Sequence, residues 1–203
     1  MTRGRFVVLE GGEASGKTTQ VRLLADRLRA AGREVETTFE PGGTDLGGRI
    51  RALLLDGTDD VAPLAEVLLL AADRAQHVRD VVRPALERGM VVVSDRFVPS
   101  SLAYQGVGRG VGVEVVEEVN VVSTGGLEPD VVVVIDLPDD VAALRRTGAP
   151  DRMEREGAAF HGAVRQAYRD LAAARSWVVV NGSGSIEDVA DRVWAAVAAR
   201  LGT

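Results

Sequence analysis

The chain has 203 residues, 46% of them hydrophobic, which suits one α/β domain with a sizeable core. It contains no cysteine, so disulfides, thiolate metal sites and a cysteine nucleophile are excluded. The net charge of −6 argues against a broad nucleic-acid-binding surface, and no apolar run reaches the length of a membrane span or a signal-peptide core. These features point to the cytoplasm.

Residues 6–10 (Phe-Val-Val-Leu-Glu) read as a buried strand, and a glycine-rich run follows at once. From Lys17, apolar residues recur at helical spacing (Val21, Leu24, Leu28) up to Gly32, and 33–39 read as a second strand. Glu40-Pro41-Gly42-Gly43-Thr44 is a loop, a setting that suits a cis bond at Glu40–Pro41. Helices are expected over 44–55 and 62–88, the second with a kink at Pro84. Residues 90–95 form a third strand, and helical segments at 99–105 and 113–123 flank a glycine-rich link. The β-branched run 131–136 is a fourth strand. Helices over 140–146 and 151–175 surround a Gly148-Ala149-Pro150 break, 177–180 form a fifth strand, and Ser185 with Asp188 opens the last helix as a capping box. Strands of continuous Val and Ile alternating with helices predict a five-stranded parallel sheet covered on both faces, in one α/β unit spanning 1–203.

The run Gly11-Gly12-Glu13-Ala14-Ser15-Gly16-Lys17-Thr18 fits the phosphate-loop pattern G-x-x-x-x-G-K-[ST], with a strand before it and a helix after. Lys17 is the only lysine among 24 basic residues. A compact ammonium on a flexible stem reaches β- and γ-phosphates, which a planar guanidinium does not replace. Backbone N–H groups of residues 11–16 would hold the phosphates, Thr18 would ligate Mg2+, and Asp95 at the end of the third strand would assist through water. Asp95 also reads as an ordinary strand-end cap. The loop calls for a nucleoside triphosphate and leaves the acceptor open. A guanine-reading Asn-Lys-x-Asp segment is impossible, because the one lysine is already used. Arg74 and Arg96 suit a dianionic phosphate through forked hydrogen bonds, with Arg51 a third candidate.

Three further motifs join the phosphate loop: Glu40 to Thr44, Ala71-Ala72-Asp73-Arg74, and Asp95-Arg96-Phe97 running on to Ser100, Tyr104 and Gln105. Asp151-Arg152-Met153-Glu154 adds a fourth. Together they closely resemble the thymidylate kinase family, over residues 6 to about 168. The resemblance implies a three-layer P-loop fold with a short lid near 145–157. It also implies a homodimer and transfer of phosphate from ATP to dTMP with Mg2+, in dTTP synthesis. Residues 61–82 and 111–122 carry apolar runs suited to a helical interface. Ser100, Tyr104 and Gln105 would line the pyrimidine and sugar pocket, Glu13 would sit near the 3′-hydroxyl, and Glu40 near the metal or the acceptor. Leu70 stands where the family often stacks an aromatic ring, and Phe39 and Thr147 stand where it often has arginine. The family can carry an arginine in the loop or in the lid, and the loop position here is Ala14, so the resemblance implies that the lid supplies the positive charge on the transferring phosphoryl. Arg145, Arg146, Arg152 and Arg155 are available, with Arg152 the first choice and Arg145 the second. His77 is expected to pack or face solvent. Two other readings stay open: a related kinase for another pyrimidine monophosphate or a deoxynucleoside, and a nucleotide-binding switch that turns over no acceptor.

Overall fold

The computed structural model describes residues 3–56, 60–145 and 151–202. Five strands, β1 (Arg5–Glu10), β2 (Val35–Phe39), β3 (Val91–Asp95), β4 (Val131–Asp136) and β5 (Val178–Asn181), form one parallel sheet in the order β2-β3-β1-β4-β5. β1 is central, and Phe6 to Leu9 are fully buried in it. Alternate residues of each strand serve opposite faces. Val7, Leu9, Val91, Val93 and Ile135 pack against α1 (Lys17–Ala30) and α9 (Ile186–Leu201). Phe6, Val8 and Val92 pack under Val78, Val82 and Leu86, while Val132 and Val134 meet Tyr104, Val164 and Tyr168. Both faces are therefore covered, which is why these strands are apolar throughout instead of alternating. The result is a three-layer α/β fold.

The remaining helices are α2 (Asp45–Arg51), α3 (Pro63–His77), α4 (Arg83–Glu87), α5 (Val98–Ser101), α6 (Val113–Thr124), α7 (Asp139–Arg145) and α8 (Ala158–Arg175). The helix expected over 62–88 is α3, a π-helical turn at Val78–Val82, and α4. Pro84 has no N–H to donate, and the wider turn just before it accommodates the missing bond. A second π-helical stretch, Leu102–Gly108, continues α5 and carries Tyr104 and Gln105. The predicted helix over 151–175 begins only at Ala158. Ahead of it, Asp151 and Glu154 cap each other's N–H groups, and the Arg152 N–H donates to the Leu55 carbonyl at 3.2 Å. These bonds draw residues 151–156 onto the turn at Ala52–Asp56 instead of into a helix. The capping box at Ser185 and Asp188 is present. Arg146, Thr147 and the Gly148-Ala149-Pro150 break lie outside the described residues. Among the described residues, no helix is long and apolar enough to cross a membrane.

Strand register sets up the site. Asp95 lies beside Leu9 of β1 and Phe39 of β2, and Glu10 lies beside Val134 of β4. The carboxyl ends of these strands open toward one edge, where crossover loops gather functional groups in a parallel sheet.

Candidate active site

The loop from Gly11 to Gly16 wraps a buried ammonium. Lys17 Nζ donates to the carbonyls of Gly11 at 3.1 Å and Gly12 at 2.7 Å, and to Ser15 Oγ at 3.2 Å. Gly11 has φ 141°, and a Cβ there would lie 2.4 Å from the Ile135 carbonyl, so glycine is required. No side chain caps the start of α1, and its first turn carries no acidic residue, which leaves that end suited to an anion. Burial pushes the Lys17 ammonium down to about 8; the Arg96 charge adds to this, while Glu13, Asp95 and Glu10 oppose it. Thr18 Oγ1 donates to Asp95 Oδ2 at 2.6 Å. Among the described residues, no group of three or more His, Cys, Asp or Glu residues forms a metal cage. A hard cation here would therefore need phosphate oxygens beside Thr18 and Asp95. That donor set fits Mg2+, which takes few protein oxygens and completes its shell with phosphate and water.

Arg96 sits beside the loop with φ 73°, an uncommon conformation for a residue with a Cβ, and its N–H donates to the Leu9 carbonyl at 3.0 Å. Nη1 bonds the Gly11 carbonyl and Ser100 Oγ; Nη2 bonds Glu13 Oε1 at 2.6 Å and Tyr104 OH at 3.3 Å. Burial works against the Glu13 carboxylate, but the charges of Arg96 and Lys17 and the Tyr104 hydroxyl win and hold it down to about 2. Glu13 is thus an anion at any working pH, and Arg96 stays protonated.

Arg74 is almost wholly buried. Nε donates to Glu40 Oε2 at 2.7 Å, and Nη1 donates to Ser101 Oγ and Asn120 Oδ1. Glu40, expected near the metal or the acceptor, lines the cleft with its other oxygen bonded to His77 Nδ1 at 2.7 Å. His77 is buried, not solvent-facing, and its Nε2 meets Thr38 Oγ1 at 2.6 Å. The Glu40–Pro41 bond is cis. Arg51 Nη1 donates to the Pro41 carbonyl at 2.9 Å.

A cleft opens from Glu13 and Arg96 toward Leu54, Leu55 and Met153. It gathers Arg51, Leu70, Arg74, Ser100, Tyr104 and Gln105, all expected acceptor residues. Arg152, first choice for the transferring phosphoryl, also lines it, with Nε donating to the Leu54 carbonyl at 2.6 Å and Nη2 paired to Glu66. Arg145 bonds the carbonyls of Gly182 and Gly184, on the loop after β5. Arg145 and Arg152, both expected to serve the transferring phosphoryl, are therefore held at different places.

A family model for thymidylate kinase matches residues 9–193. The chain belongs to the thymidylate kinase family. A thymidylate kinase from a Synechococcus strain is 50% identical over 198 residues, covering 97% of this chain and 95% of the relative. One from Deinococcus radiodurans is 46% identical over 204 residues, covering 98% and 99%. One from Leifsonia xyli subsp. xyli is 48% identical over 195 residues, covering 94% and 92%.

Within this thymidylate kinase fold, the sequence reading missed four buried groups that hold the site. Glu10 carried one signal, a charged residue closing an otherwise apolar strand. Asp73 carried a weaker one, directly before Arg74. Its Oδ1 accepts from the Gly42 N–H at 3.1 Å, and burial, then Glu40, pushes its carboxyl up to about 6. A Cβ on Gly47 would lie 2.1 Å from that oxygen, so α2 approaches Asp73 only through a glycine. Glu66, which accepts from Gln105 at 2.7 Å and pairs with Arg109 and Arg152, had no local signal, nor did Tyr168.

Proposed function

We propose that this chain transfers the γ-phosphoryl group of ATP to dTMP, releasing ADP and dTDP on the route to dTTP. The observation that carries the reading is the Glu13–Arg96 pair, which lies where the phosphate loop meets the acceptor cleft. A nucleotide on either side of that pair presents its phosphates to the other.

The steps follow from the side chains. Lys17 exchanges the Gly11 and Gly12 carbonyls for β- and γ-oxygens, a stronger pairing because those oxygens are charged. Arg96 grips the dTMP phosphate and Arg74, with Arg51, supports the acceptor side. Glu13 accepts a hydrogen bond from the 3′-hydroxyl. Leu54, Leu55, Leu70 and Met153 offer the base an apolar wall, and Gln105, Ser100 and Tyr104 supply its polar edge. The attacking oxygen is already an anion, so positioning and charge stabilisation suffice without a general base. Thr18 and Asp95 would hold Mg2+, which would supply neutralisation of phosphate charge. Residues 145–157 act as the lid of a single domain, and its closure moves Arg152 or Arg145 toward the transferring group and excludes water.

The chain acts as a homodimer in the cytoplasm. Leu64 and Leu68 of α3, with Val115, Val121 and Val122 of α6, are exposed on two helices that pack together, which supports a helical interface. Leu70 favours one second reading, a kinase with relaxed choice among pyrimidine monophosphates, since an aliphatic wall selects shape less sharply than a ring.

Phosphorus NMR of ATP, Mg2+ and dTMP with the purified protein tests the reading. Resonances of ADP and dTDP should grow together. ATP loss without dTDP would sink it.

A further inference from the structure

Glu10 closes β1 immediately before the phosphate loop and is completely buried. Its carboxylate accepts four hydrogen bonds. Oε1 takes the backbone N–H of Phe97 at 2.9 Å and of Ser100 at 3.2 Å. Oε2 takes Ser100 Oγ at 2.6 Å and Tyr168 OH at 2.8 Å. Phe97 is the residue after Arg96, whose backbone is left-handed, and Ser100 Oγ in turn accepts from Arg96 Nη1 at 3.0 Å. Tyr168 belongs to α8, the helix that follows the lid, and its hydroxyl lies 3.4 Å from Arg96 Nη1.

We infer that Glu10 is a positioning residue, which builds the turn that aims Arg96 and ties α8 to that turn. The inference rests on the reading that Arg96 grips the acceptor phosphate. A buried carboxylate is costly unless its oxygens are satisfied. Here all four bonds are donated to the carboxylate, two by backbone N–H groups and two by hydroxyls. Two of the bonds hold the backbone at Phe97 and Ser100 in the geometry the uncommon φ of Arg96 requires. The Ser100 hydroxyl passes the constraint to the guanidinium. The Tyr168 hydroxyl brings the lid-side helix to the same oxygen, so a displaced α8 disturbs the aim of Arg96. Glutamine keeps the shape of Glu10 and, with its oxygen on the two backbone N–H groups, keeps those bonds; its own N–H groups then face the Ser100 and Tyr168 hydroxyls, which must accept instead of donate, so Ser100 Oγ is drawn away from Arg96 Nη1 and the guanidinium loses a neighbouring anion.

Steady-state kinetics of Glu10→Gln, Tyr168→Phe, Arg96→Lys and the double variant Glu10→Gln/Arg96→Lys test the inference. Glu10→Gln should raise KM for dTMP by roughly ten- to a hundredfold, the scale of hydrogen bonds to a charged group, with KM for ATP within about twofold. Tyr168→Phe should move KM for dTMP in the same direction by a smaller factor. The double variant should fall well short of the product of the two single effects, because both act through one guanidinium. Equal change in both KM values, or multiplicative effects in the double variant, overturns the inference. If Glu10→Gln does not fold, Tyr168→Phe decides: an unchanged KM for dTMP overturns it. If Arg96→Lys alone leaves KM for dTMP unchanged, the reading of Arg96 falls. If Arg96→Lys raises it and Glu10→Gln does not, only the role of Glu10 falls.

Discussion

Thr18 and Asp95 meet across the gap between α1 and β3, where the threonine hydroxyl donates to the carboxylate at 2.6 Å. They are 77 positions apart in the chain. The contact exists because Asp95 pairs in register with Leu9, and Leu9 lies just before the phosphate loop. Asp95→Asn should raise the Mg2+ concentration for half-maximal rate about ten- to a hundredfold, the usual effect of losing a partner that orients a metal site. A Mg2+ titration of rate at saturating substrates reads this, and an unchanged midpoint would separate Asp95 from the metal.

Lys17 links ATP binding to pH. Its folded value near 8 means the ammonium is lost as pH rises through 8, and with it the contact to phosphate. Affinity for ATP should therefore fall between pH 7 and 9, and binding near pH 8 should take up protons, because polyphosphate favours the charged form. Calorimetry in buffers of different ionisation enthalpy measures that uptake. The free protein follows the opposite trend: the folded state holds fewer protons than the unfolded one between about 8 and 10.5, so this residue's contribution to stability improves as pH rises across that window.

Asp73 gives the matching test in acid. Its carboxyl titrates near 6 in the fold and near 3.8 when unfolded, so the fold holds the extra proton between those values. Its contribution to stability is greatest below 3.8 and is lost as pH rises through 6. Asp73→Asn removes that dependence. The difference in melting temperature, native minus variant, should decline as pH rises from 4 to 6 and level off above it; a flat difference would show that Asp73 does not titrate there.

Leu70 lines the cleft with only aliphatic surface. Leu70→Phe should tighten dTMP by about fivefold, the scale of one ring–ring contact, with little change in kcat. Weaker binding would mean that the base does not pass over this wall.

Much of the fold and part of the site were readable from the chain alone. The five strands announced themselves as β-branched runs, and the phosphate loop and the four motifs gave the residues that line the cleft. Arg152 and Glu40 show where that reading ends. Both belong to motifs, yet what they touch depends on buried partners brought from elsewhere: Glu66 of α3 for Arg152, and Arg74 with His77 for Glu40. Local pattern carries no record of such pairs, since a buried glutamate on an amphipathic helix looks like a solvated one. The start of α8 was misplaced for a related reason: residues 151–156 have helix-compatible composition, and tertiary bonds to the turn at Ala52–Asp56 override it.

The most direct test of the central claim is ADP formation from ATP and Mg2+ with dTMP, dUMP, dCMP, UMP, CMP, AMP, GMP and thymidine offered separately. The account predicts kcat/KM for dTMP at least about tenfold above every other acceptor, the discrimination expected when an apolar wall distinguishes one methyl group and the cleft admits one sugar pose. Equal or greater turnover of another acceptor, or ATP binding with no acceptor-dependent turnover, would contradict it.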